Sequence, residues 1–176
     1  MKEARRFEEL IVPHLDAAYN LARWLTRNES SAQEIVQESC LRALKALPRF
    51  RGDDGRAWLL TIVRNQSYSW LKKTAGERLV DIDDEATLDG DDQARLSHSE
   101  TPETWLSRTQ DKVLLTETLD TLPAPFREVI VLKDLEDMSY KEIAQVIDTP
   151  LGTVMSRLAR GREMLRKRLL ASEWTT

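Results

Sequence analysis

Met138-Ser139-Tyr140-Lys141-Glu142-Ile143-Ala144-Gln145-Val146-Ile147-Asp148-Thr149-Pro150-Leu151-Gly152-Thr153-Val154-Met155-Ser156-Arg157-Leu158 is the stretch on which the reading of this chain turns. Ser139 followed three residues later by Glu142 forms the capping-box pattern that opens a helix, here expected to run to about Ile147. Asp148 tolerates the left-handed backbone that a tight turn requires. Thr149-Pro150 then supplies a cap residue and a proline at the start of the next helix, which can continue to Leu170. A short capped helix, a turn and a longer helix make up a helix-turn-helix.

The longer helix separates two chemistries when its residues are projected at about 100° each. Leu151, Val154, Leu158, Leu165 and Leu169 fall on one stripe, which must pack on preceding helices. Thr153, Ser156, Arg157, Arg160 and Lys167 gather roughly opposite. Short hydroxyls near the N-terminus and cations farther along suit a helix that enters a DNA major groove and contacts bases and phosphates. Arginine can bond guanine bidentately, whereas serine and threonine read less selectively. Gly152 in the first turn lets backbone amides approach a phosphate. A basic helix alone is more often a solvated face; the capped helix before it and the opposed apolar stripe favour DNA.

The helices before this motif follow the same punctuation. Thr101-Pro102 predicts a helix to about Leu119, and Pro123 and Pro125 frame the start of another. Phe126, Val129, Ile130, Leu132 and Leu135 give that one its apolar face. Upstream, apolar periodicity lapses between Thr74 and about Ser99. Residues 77–100 carry nine acids against Arg78 and Arg95, a net charge of −7. Such a segment buries too little apolar surface to offset its ordering entropy and reads as a flexible acidic linker over 74–100. It separates an N-terminal module, 1–73, from a C-terminal one, 101–176.

The N-terminal module is helical as well. Phe7, Leu10, Ile11, Leu15, Ala18, Leu21, Ala22 and Leu25 recur at three- and four-residue steps, interrupted by Pro13, which breaks the run near Ile11 or Val12. Ser31 with Glu34 predicts a capped start for the next helix. That helix reaches about Leu47, where Pro48 stops it, and offers Ile35, Val36, Cys40, Ala43, Leu44 and Leu47 to its buried face. A loop from Pro48 to Gly55 leads into a helix over about 56–73. No two-residue alternation persists anywhere. The fold class is all-α, with two small helical domains.

Composition excludes much else. The 176 residues carry a net charge of −4, yet 151–170 alone has six bases against Glu163, and local field rather than the sum governs phosphate affinity. One cysteine, Cys40, and two histidines, His14 and His98, leave no disulfide framework and argue against a metal site or cofactor centre. No P-loop or nucleophile–base pair marks an enzyme. The charged N-terminus lacks a secretory pattern, and no stretch approaches the ~20 apolar residues that span a bilayer, so no membrane insertion and a cytoplasmic location are expected.

The run Leu122-Pro123, Phe126-Arg127-Glu128-Val129, Ser139 to Ala144 and Pro150 to Arg160 resembles region 4 of bacterial sigma factors. The likeness is greatest to the extracytoplasmic-function (ECF) group of the sigma-70 family. Glu34-Ile35-Val36-Gln37-Glu38, Leu41-Arg42-Ala43, Phe50-Arg51-Gly52 and Arg56 to Asn65 resemble region 2 of the same group. Two modules in family order cover nearly the whole chain. The resemblance implies an alternative sigma factor that directs core RNA polymerase to particular promoters. Glu34, Gln37, Glu38, Leu41 and Arg42 would bind the coiled coil of the polymerase β′ subunit, and region 4 would meet the β flap. Phe50, Arg51, Arg56, Trp58, Arg64 and Asn65 would recognise and melt the minus-ten element, since strand opening needs cations and an aromatic wall for an unstacked base. Trp58 suits either that wall or the core, given its helical spacing from Ile62. Thr153, Ser156, Arg157, Arg160 and Lys167 would read the minus-thirty-five element. The linker would thread the polymerase as a nucleic-acid mimic or serve as a soluble spacer. An anti-sigma factor is the expected regulator.

Three positions depart from the family's habit. Cys40 stands where an aromatic is common, and Asp148 where a turn glycine is common. Gly161 replaces a commoner alanine inside the last helix, at roughly 1 kcal/mol of helix propensity, and is expected to weaken the helix beyond Arg160. The competing function is a stand-alone helix-turn-helix regulator with an unrelated helical sensor domain.

Overall fold

A computed structural model describes residues 1–75 and 112–173, and every regular element among them is helical. The chain divides into two compact units. The linker beyond residue 75 and the Thr101-Pro102 helix start lie outside the described residues.

The first unit contains α1 (Lys2–Leu10), a 3-10 turn (Val12–His14), α2 (Leu15–Thr26), α3 (Glu29–Ala46), a second 3-10 turn (Leu47–Arg49) and α4 (Gly55–Ala75). Pro13 sits inside the first turn, where its missing N–H costs nothing, and so splits the long apolar run as expected. Arg27 ends α2 in left-handed backbone, φ 56°, with its N–H bonded to the Arg23 carbonyl. The start of α3 differs from the expected Ser31–Glu34 box. Asn28, extended at φ −144°, accepts the Ser31 N–H through Oδ1 at 2.9 Å. Asn28 is the better cap because Thr26, whose Oγ accepts the Asn28 N–H, already turns the chain there.

The core of this unit lies between α2, α3 and α4. Leu21, Leu25, Ile35, Leu59, Leu60 and Val63 are buried, interleaved with Ala18, Ala22, Ala32, Ala43 and Ala57. These small residues let the helices approach closely. Ser39 and Ser67 are fully buried with them. The Ser67 hydroxyl donates to the Val63 carbonyl, whereas that of Ser39 has no hydrogen-bond partner. Leu44, expected inside, is exposed, because α2 and α4 cover only the Ile35–Ala43 side of α3.

The C-terminal helices are α5 (Lys112–Asp120), α6 (Ala124–Ile130) continuing into a π-helical turn (Val131–Leu135), α7 (Tyr140–Ile147) and α8 (Leu151–Glu173); they make up the second unit save for Gln145–Asp148, which cluster with the first. The Pro123 carbonyl accepts from Phe126 and Arg127 and starts α6. Ser139 caps α7 as expected, its hydroxyl accepting the Glu142 N–H at 3.1 Å. Asp148 adopts φ 51°, the left-handed turn that its short side chain permits. The expected cap by Thr149 is not made. Its hydroxyl is buried without a hydrogen-bond partner, and α8 instead starts from the Pro150 carbonyl, which accepts from Thr153 and Val154.

Contrary to expectation, α8 continues unbroken through Gly161 to Glu173. A Cβ at Gly161 would lie 3.1 Å from Ile130 Cδ1 and 3.3 Å from Phe126 Cβ. The glycine therefore brings α8 tight against α6, and packing outweighs its low propensity. One residue farther on, Arg162 makes a two-pronged contact with buried Asp134, at 2.6 Å and 3.2 Å.

Candidate functional site

Three surfaces carry the expected site residues. On α8, Val154, Leu158 and Leu165 are buried, while Leu169 is half-buried and Leu151 is exposed at the helix start. The buried stripe is wider than its leucines suggested, because Gly161 and Arg162 belong to it. Arg157 borders that stripe and is only 9% exposed, and Ser156 is 5% exposed with its hydroxyl turned back to the Thr153 carbonyl. Neither stands on an open face as expected. Thr153 is half-buried, Arg160 and Lys167 are exposed, and a Cβ at Gly152 would meet nothing within 4 Å. Arg160 holds its guanidinium 5.2 Å from the Phe126 ring, so the aromatic of α6 steadies the long side chain.

The charges on this helix are partly matched among themselves. Glu163 accepts from Arg166 at 3.1 Å and lies 3.8 Å from Lys167; the Arg166 hydrogen bond is the main cause of its lowered pKa. Such exposed pairs contribute little and leave cations available to phosphate. Arg168 differs: it donates to the carbonyl and hydroxyl oxygens of Thr121, both at 2.7 Å, and braces α8 on the end of α5. Behind the exposed face of α8, burial pushes the Asp134 carboxyl up, against the downward pull of Arg162 and Lys133.

The second surface is the outer face of α3. Glu34, Gln37, Glu38, Leu41 and Arg42 are all exposed, with Arg42 Nε bonded to Glu38 Oε1 at 3.0 Å one turn away. Leu41 and Leu44 expose 53% and 45% of their surface, an apolar centre with a polar fringe. Leu44 was missed because its type assigned it to the core; its three-residue step from Leu41 was the available signal. Cys40 beside them is a half-buried free thiol whose pKa burial raises.

The third surface is the loop before α4. Phe50 and Trp58 stack at 4.1 Å between centroids with 9° between planes. Trp58 is thus neither core nor solitary: it is a half-exposed partner of Phe50. Asp54 Oδ1 accepts the Ala57 N–H at 3.0 Å and caps α4, while Arg51 donates to the Pro48 carbonyl. Arg56 is half-buried; its charge, after burial itself, helps to lower the pKa of His14. Farther along α4, Arg64 lies over the Tyr68 ring at 4.1 Å and Asn65 is exposed. Arg6 of α1 also reaches this loop, a residue that spacing alone did not single out: it donates to the carbonyls of Leu47 and Phe50.

Among the described residues no helix is long and apolar enough to cross a membrane, and no group of three or more metal-ligating side chains gathers. A helix-turn-helix unit and a helical unit with an aromatic, cation-bearing loop, carried on one chain, define a two-part helical protein of the transcription class. The sigma-70 region 2 family model matches residues 10–77, and the sigma-70 region 4 model matches 112–165. The ECF RNA polymerase sigma-E factor of Haemophilus influenzae is 31% identical over 153 residues, which are 85% of this chain and 79% of that protein. The RNA polymerase sigma-H factor of Pseudomonas aeruginosa is 31% identical over 172 residues, 95% of this chain and 88% of its own. Among solved structures, the sigma factor RpoE of Bartonella quintana, in complex with the anti-sigma factor NepR, superposes with a TM-score of 0.67 at 26% identity, covering 94% of this chain and 97% of that one. CnrH, in complex with the cytosolic domain of CnrY, gives 0.64 at 29% identity, covering 96% and 90%. The chain belongs to the sigma-70 family, within its ECF RNA polymerase sigma factors. It is therefore a transcription initiation factor.

Proposed function

We propose that this chain binds core RNA polymerase through the outer face of α3, opens the minus-ten element with the Phe50–Asn65 region and reads the minus-thirty-five element with α8. The observation that carries this is the α3 face: Glu34, Gln37, Glu38, Leu41 and Arg42 stand together in solvent, with Leu44 extending the apolar centre. A stand-alone DNA-binding regulator has no need of such a face beside a sigma region 2. Contact with β′ falls to these residues, and the β flap falls to the C-terminal module.

On α8, Thr153, Arg160 and Lys167 make the DNA contacts, while Arg157 and Ser156 support the helix from its less open sides. On the N-terminal side, Arg51, Arg56 and Arg64 hold phosphates, and Phe50, Trp58 and Asn65 receive an unpaired base. The modules are 1–73 and 101–176, joined by the acidic segment 74–100. The protein works in the cytoplasm, holds no cofactor, and leaves nucleotidyl transfer to the polymerase. An anti-sigma protein restrains it, as the Bartonella quintana complex with NepR suggests.

Run-off transcription with purified core polymerase and the promoter upstream of the protein's own gene tests the reading. Product is expected only when both proteins are present. Arg160→Ala should lower promoter use about tenfold or more, with co-purification on core unchanged. Gln37→Ala with Glu38→Ala should instead weaken co-purification on core, and promoter use falls with it. Specific promoter binding by the chain without polymerase, and no run-off product with it, would return the protein to the stand-alone class.

A further inference from the structure

Helix α1 contributes no fully buried residue, so core packing alone does not explain why it lies where it does. Beyond its own Arg5–Glu9 pair and the turn that follows it, α1 reaches the segment 47–55. At the entrance of that segment, Arg6 Nη1 donates to the Leu47 carbonyl at 3.0 Å and Nη2 to the Phe50 carbonyl at 2.6 Å. The same guanidinium stands 6.0 Å from the centre of the Phe50 ring. At the exit, the α4 backbone at Gly55 crowds the last residue of α1: a Cβ there would lie 2.0 Å from the Leu10 carbonyl oxygen. Both ends of the loop are therefore held against α1, and 51–54 lie exposed between them. Phe50, which Arg6 holds by backbone and ring, is the residue stacked on Trp58.

We propose that Arg6 is a positioning residue for promoter opening, fixing the Phe50–Trp58 stack and the 51–54 loop in the form that receives unpaired DNA. This rests on the reading of that loop given above. The fork geometry of a guanidinium is what the task needs, since two carbonyls three residues apart are held by two nitrogens of one planar group. Arg6 also precedes the residues matched by the region 2 family model. An ammonium in its place donates from one nitrogen and lacks the planar two-nitrogen fork.

The test uses holoenzyme assembled from core polymerase and the full chain, on a duplex promoter and on the same promoter with its minus-ten segment already unpaired. Permanganate reactivity of thymines reports opening on the duplex, and run-off product reports use of the pre-opened DNA. Arg6→Ala is expected to lower opening of the duplex about tenfold. On pre-opened DNA most of the activity should return, with core co-purification and melting temperature held near wild type. Arg6→Lys should fall between, and it serves as the folding-safe variant if Arg6→Ala melts early. Wild-type opening of the duplex together with unchanged opening by Arg6→Ala overturns this inference alone. So does an equal loss on both templates accompanied by weaker core binding, which would make Arg6 a merely structural residue. Failure of wild type to open any promoter overturns the reading of the loop and this inference with it.

Discussion

The two units solve the same problem, holding short helices together, with different materials. In the first, alanines and aliphatic side chains bring α2, α3 and α4 into close contact, and charged groups remain at the surface. In the second, Arg127, Glu128, Asp134 and Arg162 are buried among the helices. Arg127 donates to the Leu122 carbonyl, and Arg162 clasps Asp134 across 28 residues of sequence. Apolar close packing is tolerant of where a helix slides, whereas a two-pronged ion pair fixes one register. A helix that must present side chains to DNA gains from such a fixed register.

The contrast can be broken by substitution. Asp134→Ala should cost the second unit about 3–5 kcal/mol, because it removes the carboxylate that balances the buried Arg162 charge. Replacing both, Asp134→Leu with Arg162→Met, should recover most of that stability in denaturant unfolding followed by circular dichroism. Recovery of promoter use along with stability would show that the register does not need the ion pair. A smaller effect is expected in the first unit from Gly55→Ala, which drives a methyl group into the Leu10 carbonyl and should cost about 1–3 kcal/mol by overpacking. Tryptophan emission reports it, since Trp24, Trp58 and Trp70 all lie in that unit; an unchanged unfolding midpoint would mean that α1 shifts freely. Least, and opposite in sign, Ser39→Ala should stabilise the first unit by about 1 kcal/mol, because the hydroxyl it removes is buried without a hydrogen bond. A loss instead would reveal a partner for that hydroxyl and weaken the picture of a core held by shape alone.

Much of this was legible from punctuation. Pro13, Pro48, Ser139 and Asp148 act on their own neighbours, so the breaks and turns they predict fall where expected. The α3 start was misplaced because two polar residues compete for one cap, and the chain's exit from α2 favoured Asn28 over Ser31. Misreading of α8 had another origin. Glycine and arginine count as polar in a helical projection, yet Gly161 and Arg162 both face inward, and the true buried stripe reaches Arg157. Leu44 failed in the opposite direction, an apolar residue left outside. The Arg6 clamp spans more than 40 residues and joins a side chain to backbone carbonyls. No periodicity or motif encodes such a contact.

Arg27, Asp137 and Asp148 each hold backbone φ between 51° and 56°, where glycine would sit without strain. All three are exposed and lie at or just beyond helix ends. The sequence thus accepts a cost of up to about 1–2 kcal/mol at such a stop, and aspartate tolerates that backbone better than arginine does. The fold is therefore some way below the stability its own backbone would allow. For anyone wishing to work with a hardier version of the protein, the turns offer room for improvement that touches neither the α3 face nor the exposed face of α8.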